Sequence, residues 1–143
     1  MRTLALLVLI AAFAPQTTAA AKGGRKVLNS IPEAYWGTWA PGVESCKDGD
    51  AEAIVLSAKA YAGPLGKCDI MGSVSETPSS SGSTYSARLQ CADPKQAQKK
   101  TPANLIIRAS DANQISVGPE FESLKAYQRC FESTPPALPR PRG

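Results

Sequence analysis

Four cysteines, at positions 46, 68, 91 and 130, restrict the folds open to this chain more than any other feature. Residues 68 and 91 are equidistant from the stretch 76–83, whose Pro, Ser and Gly content is that of a loop tip. Folding the chain there sets Cys68 opposite Cys91. The same register opposes Ile70 to Leu89, Gly72 to Ala87 and Val74 to Tyr85, with Asp69, Ser73, Ser86 and Arg88 on the other side. Every apolar residue of this hairpin except Met71 then shares one face. A slip of one residue would turn one strand's apolar set to solvent, so the sulfur register and the apolar register support each other. This favours Cys68–Cys91 and leaves Cys46–Cys130 to tie the start of the domain to its end. The rival pairing, Cys46 with Cys68 and Cys91 with Cys130, stays open on sequence alone. Each bond would contribute on the order of 3 to 5 kcal/mol by restricting the unfolded chain. Zinc is disfavoured, because the chain has no His and no two cysteines form a close ligand pair.

Disulfides need an oxidising compartment, and the amino terminus agrees. Residues 1–3 form a short basic start, residues 4–14 an apolar run, and residues 15–21 a Pro and small-residue stretch with a cleavage point after Ala20 or Ala21. We read 1–21 as a signal peptide. The run falls short of the roughly 20 residues that span a bilayer, and no second apolar stretch follows, so no transmembrane segment is expected. Asn29, Asn104 and Asn113 are each followed two places on by Ile, so none is a glycosylation acceptor. A periplasmic or secreted protein is expected. Of the 16 basic residues, Arg2, Lys22, Arg25, Lys26, Arg140 and Arg142 lie in the flanks, whereas all 12 acidic residues lie between them. The folded part carries no basic stripe, which argues against nucleic acid as a partner.

One domain is expected after cleavage. Residues 22–34 read as a flexible lead, in which Ser30 and Glu33 have capping-box spacing and open a single helical turn. Residues 35–132 form the disulfide-stabilised domain. Asp48, Gly49 and Asp50 mark a turn; as a calcium loop they fail, because the glycine is misplaced and Lys59 stands where the last ligand belongs. Residues 51–62 hold alanines that favour helix, but Ile54, Leu56 and Ala58 alternate with Val55, Ser57 and Lys59, and we weigh this toward two short strands. Residues 105–109 and 114–117 form a second hairpin with Leu105, Ile107, Ile115 and Val117 on one face, if Asn113 takes the left-handed region. A last strand is expected over 125–131. Pro135, Pro136, Pro139 and Pro141 keep residues 133–143 as a disordered tail. The chain therefore reads as all-β, an antiparallel up-and-down barrel or sandwich of about 6–8 strands, with the barrel favoured.

Gly37-Thr38-Trp39, entered through a helical turn and matched by Arg129 near the end, resembles the closed-end signature of the calycin barrels. In lipocalins such a Trp packs under an Arg from near the last strand, and avidins also carry Gly-x-Trp on the first strand. Bacterial secreted metalloprotease inhibitors are similar too, with a small barrel and an amino-terminal lead that enters the protease cleft. The resemblance implies that Trp39 plugs the barrel, that Gly37 and Arg129 fit around it, and that residues 22–34 could serve as such a lead. In those inhibitors the early disulfide would be expected to link Cys46 with Cys68, against the pairing favoured above.

Without His the chain lacks the usual general base, and with it Ser-His and Cys-His nucleophiles. Glu120 and Glu122 would share a strand face as an acid and base might, yet they stand beside Pro119 in a polar stretch and read as solvated. Lys99, Lys100 and Ser79 to Ser81 read as loop. We expect no enzyme, no cofactor and no metal. Tyr35 and Trp36 are the binding candidates, since amphipathic aromatics favour contact surfaces. The expected function is an exported non-enzymatic binding protein, its partner a small apolar ligand inside the barrel or an extracellular protein at its rim. The alternative is an inhibitor of an extracellular or periplasmic hydrolase, of protease type, working through the lead or a loop.

Overall fold

The computed structural model describes residues 24–47, 50–96 and 98–131. The segment 1–21 expected as a signal peptide and the expected tail 133–143 lie outside the described residues. Among the described residues nine strands follow one another: β1 (Lys26–Leu28), β2 (Gly37–Ala40), β3 (Ile54–Leu56), β4 (Ala60–Gly63), β5 (Gly66–Ser79), β6 (Gly82–Ala92), β7 (Lys100–Ala109), β8 (Gln114–Gly118) and β9 (Lys125–Arg129). The described residues between them include one-turn 3-10 helices at Glu33–Tyr35, Val43–Ser45 and Phe121–Ser123. The strands run in the order β5-β4-β3-β2-β9-β8-β7-β6, and β5 pairs again with β6. This closes an eight-stranded antiparallel barrel, with β1 as an extra strand on β5. Closure leaves the ring without open edges.

Alternation of side chains puts one apolar set inside. Trp39, Ile54, Leu56, Ile70, Val74, Leu89, Leu105, Ile107, Ile115 and Val117 are all buried there. In residues 51–62 pairing overrides the helical preference of alanine: Leu56 sits opposite Gly37 and Tyr61 opposite Cys68. Both disulfides form as favoured, Cys68–Cys91 across the β5–β6 ladder and Cys46–Cys130 over a separation of 84 residues. No cysteine is free.

Several local expectations are corrected. Part of the expected flexible lead is strand β1, paired with Val74 to Glu76 of β5. The helical turn exists but begins at Glu33 with Pro32 at its cap, and no side-chain cap bond forms, so Ser30 and Glu33 make no capping box. The β5–β6 register holds through Met71 opposite Arg88 and then shifts, with Ser75 opposite Ser86 and Glu76 opposite Tyr85. Gly72, Ser73 and Val74 thus face Ala87 alone, and the expected pairs of Gly72 with Ala87 and Val74 with Tyr85 are lost. An offset of two residues preserves which side chains point inward, so Val74 and Tyr85 are buried all the same. Asn113 is not left-handed; among the described residues only glycines have positive φ. Instead Asp111 Oδ1 accepts the Asn113 N–H at 2.7 Å, while the Ser110 and Asp111 N–H groups both donate to the Gln114 carbonyl. The last strand stops at Arg129, and Glu120 and Glu122 lie at a 3-10 turn rather than along a strand.

Two glycines make the long hairpin possible. Gly72 has φ +72 at the bulge with open space around it, and Gly82 has φ +117 where an added Cβ would overlap the Ala109 carbonyl. Gly72→Ala should therefore cost only the strain of a left-handed residue, about 1–2 kcal/mol. Gly82→Ala adds a backbone clash and should cost more, about 2–4 kcal/mol; urea unfolding of the two variants measures the order.

Candidate functional site

The two ends of the barrel are closed differently. At one end Trp39, fully buried on β2, donates its indole N–H to the Tyr35 carbonyl at 3.0 Å. The Arg129 guanidinium, brought in by β9, lies 4.2 Å from the Trp39 ring centroid. It also donates to the carbonyls of Trp36 at 3.0 Å and Ala112 at 3.2 Å, and to that of Ala34. One side chain thus joins the 3-10 turn, β2, β9 and the β7–β8 loop, by cation–π attraction and by charge-assisted bonds. Gly37 is needed for its φ of +119; a Cβ there would meet Arg129 Nη1 only at an ordinary 3.7 Å. Toward the other end the Cys68–Cys91 bridge is itself buried, with Tyr61 opposite Cys68 across the β4–β5 ladder.

The interior between these ends is filled. Among the described residues no polar or charged residue is buried, and the core is one continuous apolar cluster. The space in which a small apolar ligand was expected is occupied by side chains. Tyr35 and Trp36, expected together as a contact patch, are parted. Tyr35 packs on the core with its ring 5.3 Å from that of Tyr85. Trp36 is 37% exposed and is held in place by its indole N–H on the Ile31 carbonyl at 2.9 Å. Glu120, Glu122 and Ser79 to Ser81 are exposed or at a loop tip, and Lys100 pairs with Asp69 at 3.3 Å.

The concave surface lies outside the barrel, where the sequence singled out no site. A groove of about 520 Å³ runs over the outward faces of β5, β6 and β7 at the bulge, floored by Ile106 and Met71 and continued past Arg88 and Asn104 by a second hollow of about 370 Å³. Two signals pointed to it. Met71 is the one apolar residue on the polar side of the first hairpin and is 51% exposed. Ile106 faces outward between inward Leu105 and Ile107, yet is only 8% exposed. Three consecutive buried residues on a strand mark a position covered on both faces.

No protein-family model, no curated protein and no solved structure matches the chain. Among the described residues no helix is long and apolar enough to cross a membrane.

Arg129→Ala should lose about 2–4 kcal/mol of stability through the ring contact and the carbonyl bonds together, with Trp39 emission shifting to the red. Arg129→Lys should not restore it, since an ammonium cannot stack and fork at once; denaturant unfolding followed by Trp fluorescence tests both. Burial pushes the Tyr61 and Tyr85 hydroxyls up to about 12, and raises Tyr127 for the same reason. The unfolded chain releases such protons near pH 10, so the contribution of Tyr61 and Tyr85 is whole below about pH 10 and is lost as pH rises through their folded values near 12. Tyr61→Phe should flatten part of this alkaline fall, read from unfolding free energies across that range.

Proposed function

We propose that the chain is an exported, non-enzymatic binding protein that meets its partner at the outer surface of a rigid barrel. The observation that carries this reading is the filled interior, packed with aliphatic, Trp and Tyr side chains between Trp39 toward one end and the Cys68–Cys91 bridge toward the other. A binder of small apolar molecules needs a cavity of some hundreds of Å³ bounded by side chains, and this core offers packed side chains in its place. Two disulfides suit a chain that works in an oxidising compartment. The contact of Arg129 with Trp39 beside a 3-10 turn supports the calycin likeness seen in the sequence.

Inhibition of an extracellular protease is the second reading, and strand β1 favours it. By pairing with β5 it fixes where the chain leaves the barrel toward its amino terminus. A segment entering a cleft loses less entropy when its base is already held.

Two measurements test these readings. Titration with the fluorescent probe N-phenyl-1-naphthylamine should give no saturable uptake and no change in Trp39 emission; stoichiometric uptake would put a ligand inside and overturn the outer-surface reading. For the inhibitor, a chain beginning at Lys22 should block a susceptible secreted protease and a chain beginning at Ser30 should not. Full inhibition by the shorter chain would end the role of the lead.

A further inference from the structure

We propose that the outer groove over β5, β6 and β7 docks an acidic segment of a protein partner, with a carboxylate seated between Arg88 and the bulge of β5. This rests on the reading of the protein as an outer-surface binder and names its site.

The groove follows from the chain. Gly72, at φ +72, lets β5 carry Gly72, Ser73 and Val74 past the single residue Ala87. The bulge also falls where β5 changes its other neighbour. Pairing with β4 ends at Asp69 opposite Ala60, and pairing with β1 starts at Val74 opposite Leu28. Gly72 and Ser73 are thus left without a ladder partner on either side, and both are exposed.

Charge selects the occupant. Arg88 stands between Met71 on β5 and Asn104 on β7, and among the described residues it forms no ion pair. No acidic side chain lines the groove. The nearest carboxylate along β5, Asp69, is engaged by Lys100 at 3.3 Å. Lys59 Nζ donates to the Gly72 carbonyl at 3.3 Å and adds a second cation at the bulge. A guanidinium flanked by an amide and by the Ser75 and Ser86 hydroxyls suits a carboxylate, which accepts from all of them. The other large hollow, bordered by Asp50, Asp93 and Lys67, has no such one-signed lining.

The apolar floor makes the occupant a polypeptide rather than a free anion. Met71, 51% exposed, adapts its shape to a neighbouring side chain, and with Ala87 and Pro119 in the same lining it gives an apolar contact that an isolated carboxylate would leave unused. An acidic residue next to an aliphatic one on an extended segment uses both parts of the groove.

The test is an NMR titration of the 15N-labelled exported chain, residues 22–143, with the blocked peptides Ac-AVEVA-NH2 and Ac-AVQVA-NH2. The acidic peptide should move the amide signals of Gly72, Ser73, Arg88 and Asn104 saturably, and the neutral one should bind about tenfold more weakly, the loss of one charge-assisted contact. Arg88→Gln, an exposed change that should leave the rest of the spectrum unaltered, should remove the difference between the two peptides. Equal response to both peptides, or shifts absent or scattered over other faces, would overturn the proposal. Sodium acetate moving the same signals as strongly as the acidic peptide would reduce the groove to a plain anion site and overturn it as well. None of these outcomes touches the apolar-probe experiment, so the groove can fail while the outer-surface reading stands.

Discussion

The pairing of β5 with β6 is the constraint on which the rest of this molecule depends. The seven other ladders of the ring, with β1 on β5, could exist in an open sheet, and it is this ladder that joins the two ends of the series and makes a barrel. The Cys68–Cys91 bond lies within it, so the covalent link and the closing hydrogen bonds specify the same register. A domain of this size buries a limited apolar core. By the loop-entropy estimate, the two disulfides add about 3 and about 4–5 kcal/mol for loops of 23 and 84 residues. With the long hairpin held, the short strands β2, β3, β4, β8 and β9 need only contribute a few inward side chains each.

Closure also decides where function can reside. An eight-stranded barrel is just wide enough either to be filled by its own side chains or to hold one small ligand. Here Trp39, Tyr61, Tyr85 and Tyr127 are all buried within the ring, and these large side chains occupy it. Arg129 then ties the filled end to the loops outside it through carbonyls of the 3-10 turn and of the β7–β8 loop. The result is a stiff body whose recognition must be carried by its surface. The bulge in β5 serves that purpose at little cost to the core, because an offset of two residues opens the outer face while keeping Val74 and Tyr85 inside.

Much of this was legible in the chain, and the divide between what was and what was not has a physical cause. Cys68 and Cys91, with Ile70 and Leu89 between them and the tip, specified the closing hairpin because sulfur spacing and period-two alternation agreed. Gly37, Trp39 and Arg129 were recognised as one cluster although 92 residues separate the first and last, because the chemistry of indole and guanidinium is distinctive and both now meet as expected. Residues 51–62 were readable as strands because burial of Ile54 and Leu56 outweighs alanine's helix preference. What escaped depends on neighbours that no local pattern encodes. The bulge at Gly72 falls where β5 changes partners from β4 to β1, and β1 itself has only three residues and no strong alternation. Ser30 and Glu33 have the spacing of a cap, but Pro32 takes the cap position and the chain enters the turn later. The groove was hidden for the same reason: Met71, Arg88 and Asn104 become neighbours only across three strands.

Peptide mapping of the oxidised, unreduced protein tests the closing ladder most directly. Fragments joining Cys68 to Cys91 and Cys46 to Cys130 are the predicted result. Recovery of Cys46 linked to Cys68, or of free thiols at 68 and 91, would contradict the closed barrel and everything placed upon it.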